Sequence, residues 1–142
     1  MTTSLNFFKQ YHSTMIKALG EDAKKVNAKV GSIMADKWAD NAGTINNNAE
    51  FAKSFEDYLK NKLEFAEHVK IDCDEKNYTL DIKGCAICHG NELLRKEGLS
   101  PACPIVQAAK YAAVKKIKKN IITKGVEKHG VVGECVIKFE LQ

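Results

Sequence analysis

The hydrophobic period of this chain changes once, at His68, and that change limits the folds open to it. Before His68 the apolar residues recur at helical spacing. Leu5, Phe8, Met15, Ile16 and Leu19 form one stripe, Val26, Val30, Ile33, Met34 and Trp38 a second, and Phe51, Phe55, Tyr58, Leu59 and Leu63 a third. The spacing predicts three amphipathic helices. Gly20 stops the first, and "NAGTINNN" separates the second from the third with turn and cap residues. After His68 the period is two. Val69, Ile71 and Cys73 alternate with Lys70 and Asp72; Tyr78, Leu80 and Ile82 alternate with Thr79, Asp81 and Lys83. Two half-buried antiparallel strands joined by "DEKN" are predicted. Ser100 before Pro101 predicts the start of a long helix through "ACPIVQAAKYAAVKKIKK". Its alanine-rich face suits close packing on a sheet. "NIITKGVEKHG" and "ECVIKFELQ" predict a second hairpin whose last strand turns Cys135, Ile137, Phe139 and Leu141 inward. The predicted fold is α+β: three N-terminal helices, then β-β-α-β-β with a four-stranded antiparallel sheet. The length of 142 residues suits one domain, 1–142, with a helical layer over 1–66 and the ββαββ part over 67–142.

Composition narrows the function classes. The net charge of +4 is too small to argue for nucleic acid. The lysines of "KKIKKNIITKGVEK" read as a solvated helix end, where cations suit the dipole. The first residues, "MTTSLNFFKQYHSTM", contain no apolar signal region, and no stretch approaches the roughly twenty apolar residues of a membrane span. A cytoplasmic location is therefore expected. In a reducing compartment the five cysteines read as ligands or core residues before disulfides.

The chemistry concentrates in "GCAICHGNELLRKEGLSPACPI". Cys85, Cys88 and His89 spell C-x-x-C-H, and Cys103 follows. The pattern fits covalent haem attachment, but all three methionines precede it, which removes the usual downstream methionine ligand. A redox dithiol needs a C-x-x-C after a parallel strand, and here a hairpin precedes it. Thiolate and imidazole are the ligands zinc prefers. The ligand pool is Cys85, Cys88, Cys103 and Cys135 as metal ligands, with His89, Glu127 and His129 as an additional ligand or outer partner. Four thiolates could instead hold an iron–sulfur cluster. Cysteine also packs as a small apolar residue, which is the reading for Cys73. His12 and His68 read as residues without a role at the site.

The "Cys-Pro-Ile" start of the long helix and the closing "GECVIKF" resemble the 4-vinyl reductase domain family of small-molecule-binding domains. "ELLRKEGLSPACPI" with the later closing strand is also similar to 2-amino-thiazoline-4-carboxylate hydrolase-like proteins. The resemblance implies a structural zinc, with Cys103 and Cys135 at two of the ligand places. Glu127 stands where a cysteine is usual, and Lys124 where an acidic residue is, so Cys85, Cys88 or His129 would have to complete the set.

The expected function is a cytosolic domain binding a metal or a small apolar molecule between helices and sheet, a sensor or accessory protein with zinc favoured. The alternatives are a thiol-dependent hydrolase-like enzyme with His89 as base, and a haem or iron–sulfur redox protein. A homodimer is expected through the N-terminal helices, where Phe7, Phe8, Tyr11, Met15 and Trp38 exceed what one stripe needs.

Overall fold

A computed structural model describes residues 2–117 and 120–142, with 2–4 by backbone alone. Lys118 and Lys119 of the basic run lie outside the described residues. The chain runs α1 (Thr2–Leu19), α2 (Ala23–Ala42), α3 (Asn48–Asp57), β1 (His68–Cys73), β2 (Asn77–Lys83), α4 (Ala86–Lys96), α5 (Pro104–Lys116), β3 (Ile121–Glu127) and β4 (Cys135–Leu141). A 3-10 turn at Gly20–Asp22 joins α1 to α2, and a π-helical turn at Tyr58–Lys62 extends α3.

The α+β class and the four-stranded antiparallel sheet agree with the expectation, but the helix count after β2 does not. Two helices, α4 and α5, stand where one was expected, and the long helix begins at Pro104 rather than Pro101. The cause is local. A residue before proline is pushed out of the helical region, and Cys103 is extended (φ −125°, ψ 108°) with Pro104 opening the helix behind it. Residues 97–103 therefore form a connection, and C-x-x-C-H occupies the first turn of its own helix.

The sheet order is β1-β2-β4-β3, so the two hairpins meet through β2 and β4. Tyr78 pairs with Phe139, Leu80 with Ile137, and Ile82 with Cys135. All six face the core, as the period-two alternation requires. At the edge, β3 buries only Ile121 and carries a register shift between Thr123 and Gly125. Asp74 shapes the first hairpin by accepting the Lys76 and Asn77 N–H groups at 2.8 and 2.7 Å. Those two donors hold its carboxyl below the usual range.

Helices α3 and α5 cover the sheet, α2 lies along α5, and α1 lies along α4. The Tyr78 hydroxyl crosses the layers to donate to the Ala109 carbonyl at 3.0 Å. Tyr78, Phe139, Phe51 and Phe55 fill the space between helices and sheet. The pocket expected there for a small apolar molecule is thus taken up by the chain's own rings. Two open hollows lie elsewhere, along Leu19–Lys29 and around Ile45 and Ser54, and no cysteine lines either.

Trp38 is also buried, edge-on to Phe51 and Phe55, with its indole N–H donating to Ser54 Oγ at 3.2 Å. It cannot belong to a dimer surface, and Met15 is half-buried. Phe7, Phe8 and Tyr11 of α1 do face outward.

The alanine face of α5 packs against α2 as well as the sheet. A Cβ on Gly31 would fall 2.4 Å from Gln107 Cβ and 2.7 Å from the Ala108 backbone N. Gly31→Ala should therefore force the two helices apart and destabilise the fold by about 1–3 kcal/mol. Urea denaturation measures it; an unchanged or raised midpoint would contradict the close crossing.

Candidate metal-thiolate site

The sheet register builds the site. Ile82 pairs with Cys135, so the end of β2 and the start of β4 lie side by side. Lys83 and Gly84 carry the chain over that edge into Cys85, with Gly84 in the left-handed region (φ 69°) that a glycine tolerates. The Cys85 N–H donates to the Gly133 carbonyl at 2.9 Å, tying the start of α4 to the turn that precedes β4. Cys85 is the N-cap of α4, and Cys88 lies in its first turn. Cys103 is the N-cap of α5. The cysteines thus come from two helix starts and one strand start, where the helix dipoles favour negative sulfur.

Cys85, Cys88 and Cys135 are buried and Cys103 is half-buried; none is in a disulfide. Cys88 is the hub. The thiols of Cys135 and Cys85 donate to its sulfur and, with the Lys128 ammonium, hold it well below the ordinary thiol range despite its burial. Sharing with Cys88 and burial push Cys85 and Cys135 upward. Burial raises Cys103, against the pull of the Val106 and Ile105 N–H groups, and it feels the charge at Cys88. Within the cluster, negative charge is therefore favoured at Cys88 over its neighbours. Among the described residues, no three His, Cys, Asp or Glu side chains stand as a ready-made ligand cage. The donor set suits a soft or borderline metal ion, with Cys85 and Cys135 hydrogen-bonded to Cys88 and Cys103 bound instead to the Val106 and Ile105 N–H groups.

The other candidates are placed differently. His89 turns toward the Gly133 turn, where a Cβ would come within 3.1 Å of its Nε2. Glu127 is exposed and pairs with Lys138 at 2.8 Å, which lowers its carboxyl. His129 is exposed beyond the end of β3. Neither Glu127 nor His129 has a hydrogen bond or ion pair to a cysteine among the described residues. The reason is the strand alternation: Glu127 and its partner Lys138 point away from the core.

Two contributors escaped the sequence reading. Lys128 donates from Nζ to Cys88 Sγ at 3.4 Å; it lies between Glu127 and His129, and nothing separates it in sequence from the chain's other lysines. His12, expected to be without a role, is buried with its Nε2 2.9 Å from Asn91 Oδ1. The same oxygen accepts the Ala102 N–H at 3.0 Å. Asn91 thereby links α1 to the connection that delivers Cys103. A Cβ on Gly90 would meet the His12 ring at 2.7 Å, so the glycine lets α1 approach. His68 stays at the surface, 4.0 Å from Asp81.

Cys85 and Cys88 are both part of the hydrophobic core. No helix among the described residues is long and apolar enough to cross a membrane.

No curated protein matches the chain. A family model described as "Putative rubredoxin C-terminal domain" matches residues 7–137. That match overturns the resemblance to the 4-vinyl reductase and thiazoline-carboxylate hydrolase-like families, which rested on short motifs around Cys103 and Cys135; the family model spans the helices as well. With it goes the family argument for a zinc at Cys103 and Cys135. Membership is consistent with metal or redox binding by the cysteines. On a match that covers nearly the whole sequence, the chain belongs to the "Putative rubredoxin C-terminal domain" family.

Proposed function

We propose that this chain is a metal-binding module in which Cys85, Cys88, Cys103 and Cys135 hold one zinc or iron ion. The observation that carries the reading is the convergence on Cys88. Its sulfur shares hydrogen bonds with Cys85 and Cys135 and lies within electrostatic reach of Cys103. Four thiolates around one ion are a site for zinc or for iron. Zinc is the closed-shell structural choice; the rubredoxin in the family's name makes iron the redox choice. On this reading the shared thiol protons leave as the metal enters, and side-chain rotation draws the sulfurs in. The sheet edge and two helix starts already hold their backbones. The whole of 1–142 acts as one unit on this reading, supported by one hydrophobic cluster spanning α2 to β4. On this reading the chain works in a reducing, cytoplasmic setting, because thiols must stay reduced to take up a metal.

A Co2+ titration under anaerobic conditions tests the reading. One equivalent should bring up sulfur-to-metal charge transfer and visible bands of a tetrahedral ion, and zinc should displace them. No spectral change would contradict it. The anionic character of Cys88 favours a second reading, thiol redox chemistry at Cys85 and Cys88. Alkylation of metal-free protein separates the two: rapid labelling of Cys88 that a bound metal leaves unchanged favours the redox reading.

The homodimer remains part of the proposal in a narrower form, through α1 alone. Phe7 and Tyr11 stack at 5.9 Å and are 69% and 55% exposed, next to Phe8. Light scattering at working concentration should give twice 15.8 kDa. A 15.8 kDa particle would refute the dimer and leave the metal site untouched.

A further inference from the structure

We infer that Lys128 is the charge-compensating partner of the thiolate site, with its ammonium donating to Cys88 Sγ and favouring the divalent state of the bound ion. The inference rests on the metal reading above and concerns a residue outside the ligand set. Four thiolates around a divalent ion carry two net negative charges, and around a trivalent ion one. A buried negative centre is costly unless a nearby cation or aligned donors offset it. The starts of α4 and α5 supply partial positive charge from two sides. Lys128 supplies the full charge. Its Nζ lies 3.4 Å from Cys88 Sγ, at the hub of the cluster.

The neighbours of Lys128 are otherwise engaged or distant. Glu127 is held by Lys138, and His129 points to solvent. Lys124 of β3 pairs with Glu140 of β4 at 3.4 Å. Lys128 thus places an ammonium directly on a buried sulfur. Its position beyond β3, in the turn whose Gly133 carbonyl binds the Cys85 N–H, makes it part of the lid over the site.

Hydrogen-bonding partners of metal ligands are worth about ten- to a hundredfold in affinity. The test uses full-length protein and compares wild type, K128Q, K128R and K124Q by Zn2+ competition against a chelator. K128Q should bind Zn2+ about ten- to a hundredfold more weakly, K128R within a few-fold of wild type, and K124Q unchanged. K124Q removes the same net charge from the same hairpin, so an equal loss there would reduce the effect to overall charge and overturn the proposal. Equal binding by K128Q and wild type would also overturn it. Melting of the metal-free proteins checks folding; the exposed Lys128 predicts little change, and a collapse of metal-free K128Q would show a folding role instead and overturn the proposal. In iron-loaded protein the reduction potential should move lower in K128Q, because the reduced centre loses more stabilisation than the oxidised one. A wild-type chain that takes up neither Zn2+ nor Co2+ would remove the metal reading itself and the role of Lys128 with it, a result distinct from wild-type binding that K128Q shares.

Discussion

Cys88→Ser is expected to lose the bound metal, and Cys73→Ser to keep it. Cys88 is the sulfur on which the Cys85 and Cys135 thiols and the Lys128 ammonium converge. A serine there removes a ligand and leaves those donors facing a weaker acceptor. The loss in affinity should exceed the hundredfold that bounds the effect of an outer hydrogen-bonding partner. Cys73 lies at the far end of β1, across the ladder from Tyr78, with its Sγ 3.8 Å from the Asp74 carbonyl. Chelator competition on both variants checks the contrast. Stability should follow: at free metal a hundred times the Kd, binding contributes about 2.7 kcal/mol to wild type, a contribution that Cys88→Ser would forfeit. If Cys73→Ser lost as much metal as Cys88→Ser, the assignment of the cluster would be wrong.

Phe55→Ala should be among the most damaging single changes to the fold itself, about 3–5 kcal/mol. Phe55 is fully buried where α2, α3 and the sheet meet. Its ring lies 5.1 Å from Trp38, 6.0 Å from Phe51 and 6.3 Å from Tyr58, measured between centroids. The ring cluster is large and its neighbours are themselves locked, so the cavity collapses little. Val131→Ala in the exposed turn before β4 serves as the control and should stay within about 0.5 kcal/mol. Urea midpoints decide it. A loss under about 1 kcal/mol for Phe55→Ala would mean that the ring layer repacks and is not the rigid support described.

The strands and the inward face of β4 were legible because burial on one side enforces a strict period of two. Val69, Ile71, Tyr78, Leu80, Ile82, Cys135, Ile137, Phe139 and Leu141 read directly from the sequence. The first three helices were legible for the same reason at period 3.6. The break between α4 and α5 was missed although its signal was present: Pro104 excludes helix at Cys103, and Ser100-Pro101 made an equally good start. The close crossing of α2 and α5 was not legible, because a glycine in a helix at Gly31 gives no sign of which neighbour approaches it.

The site divides in the same way. Cys135 was placed by alternation, and the proximity of Cys85 follows from the β2–β4 pairing that only the fold provides. Glu127 and His129 were attractive as metal-ligand types but lie on the solvent side of an edge strand and its turn. Lys128 is no ligand type and so drew no attention. Its role comes from a turn that brings a cation over buried sulfur, which depends on three-dimensional placement and leaves no mark in composition. His12 was likewise hidden, since its partner Asn91 is 79 residues away.

The most direct test is elemental analysis of the protein purified anaerobically and without chelator, combined with an absorption spectrum. The account predicts one zinc or iron ion per chain, lost on Cys88→Ser and retained on Cys73→Ser. Metal content near zero in wild type, with reduced thiols confirmed in the same sample, would contradict it.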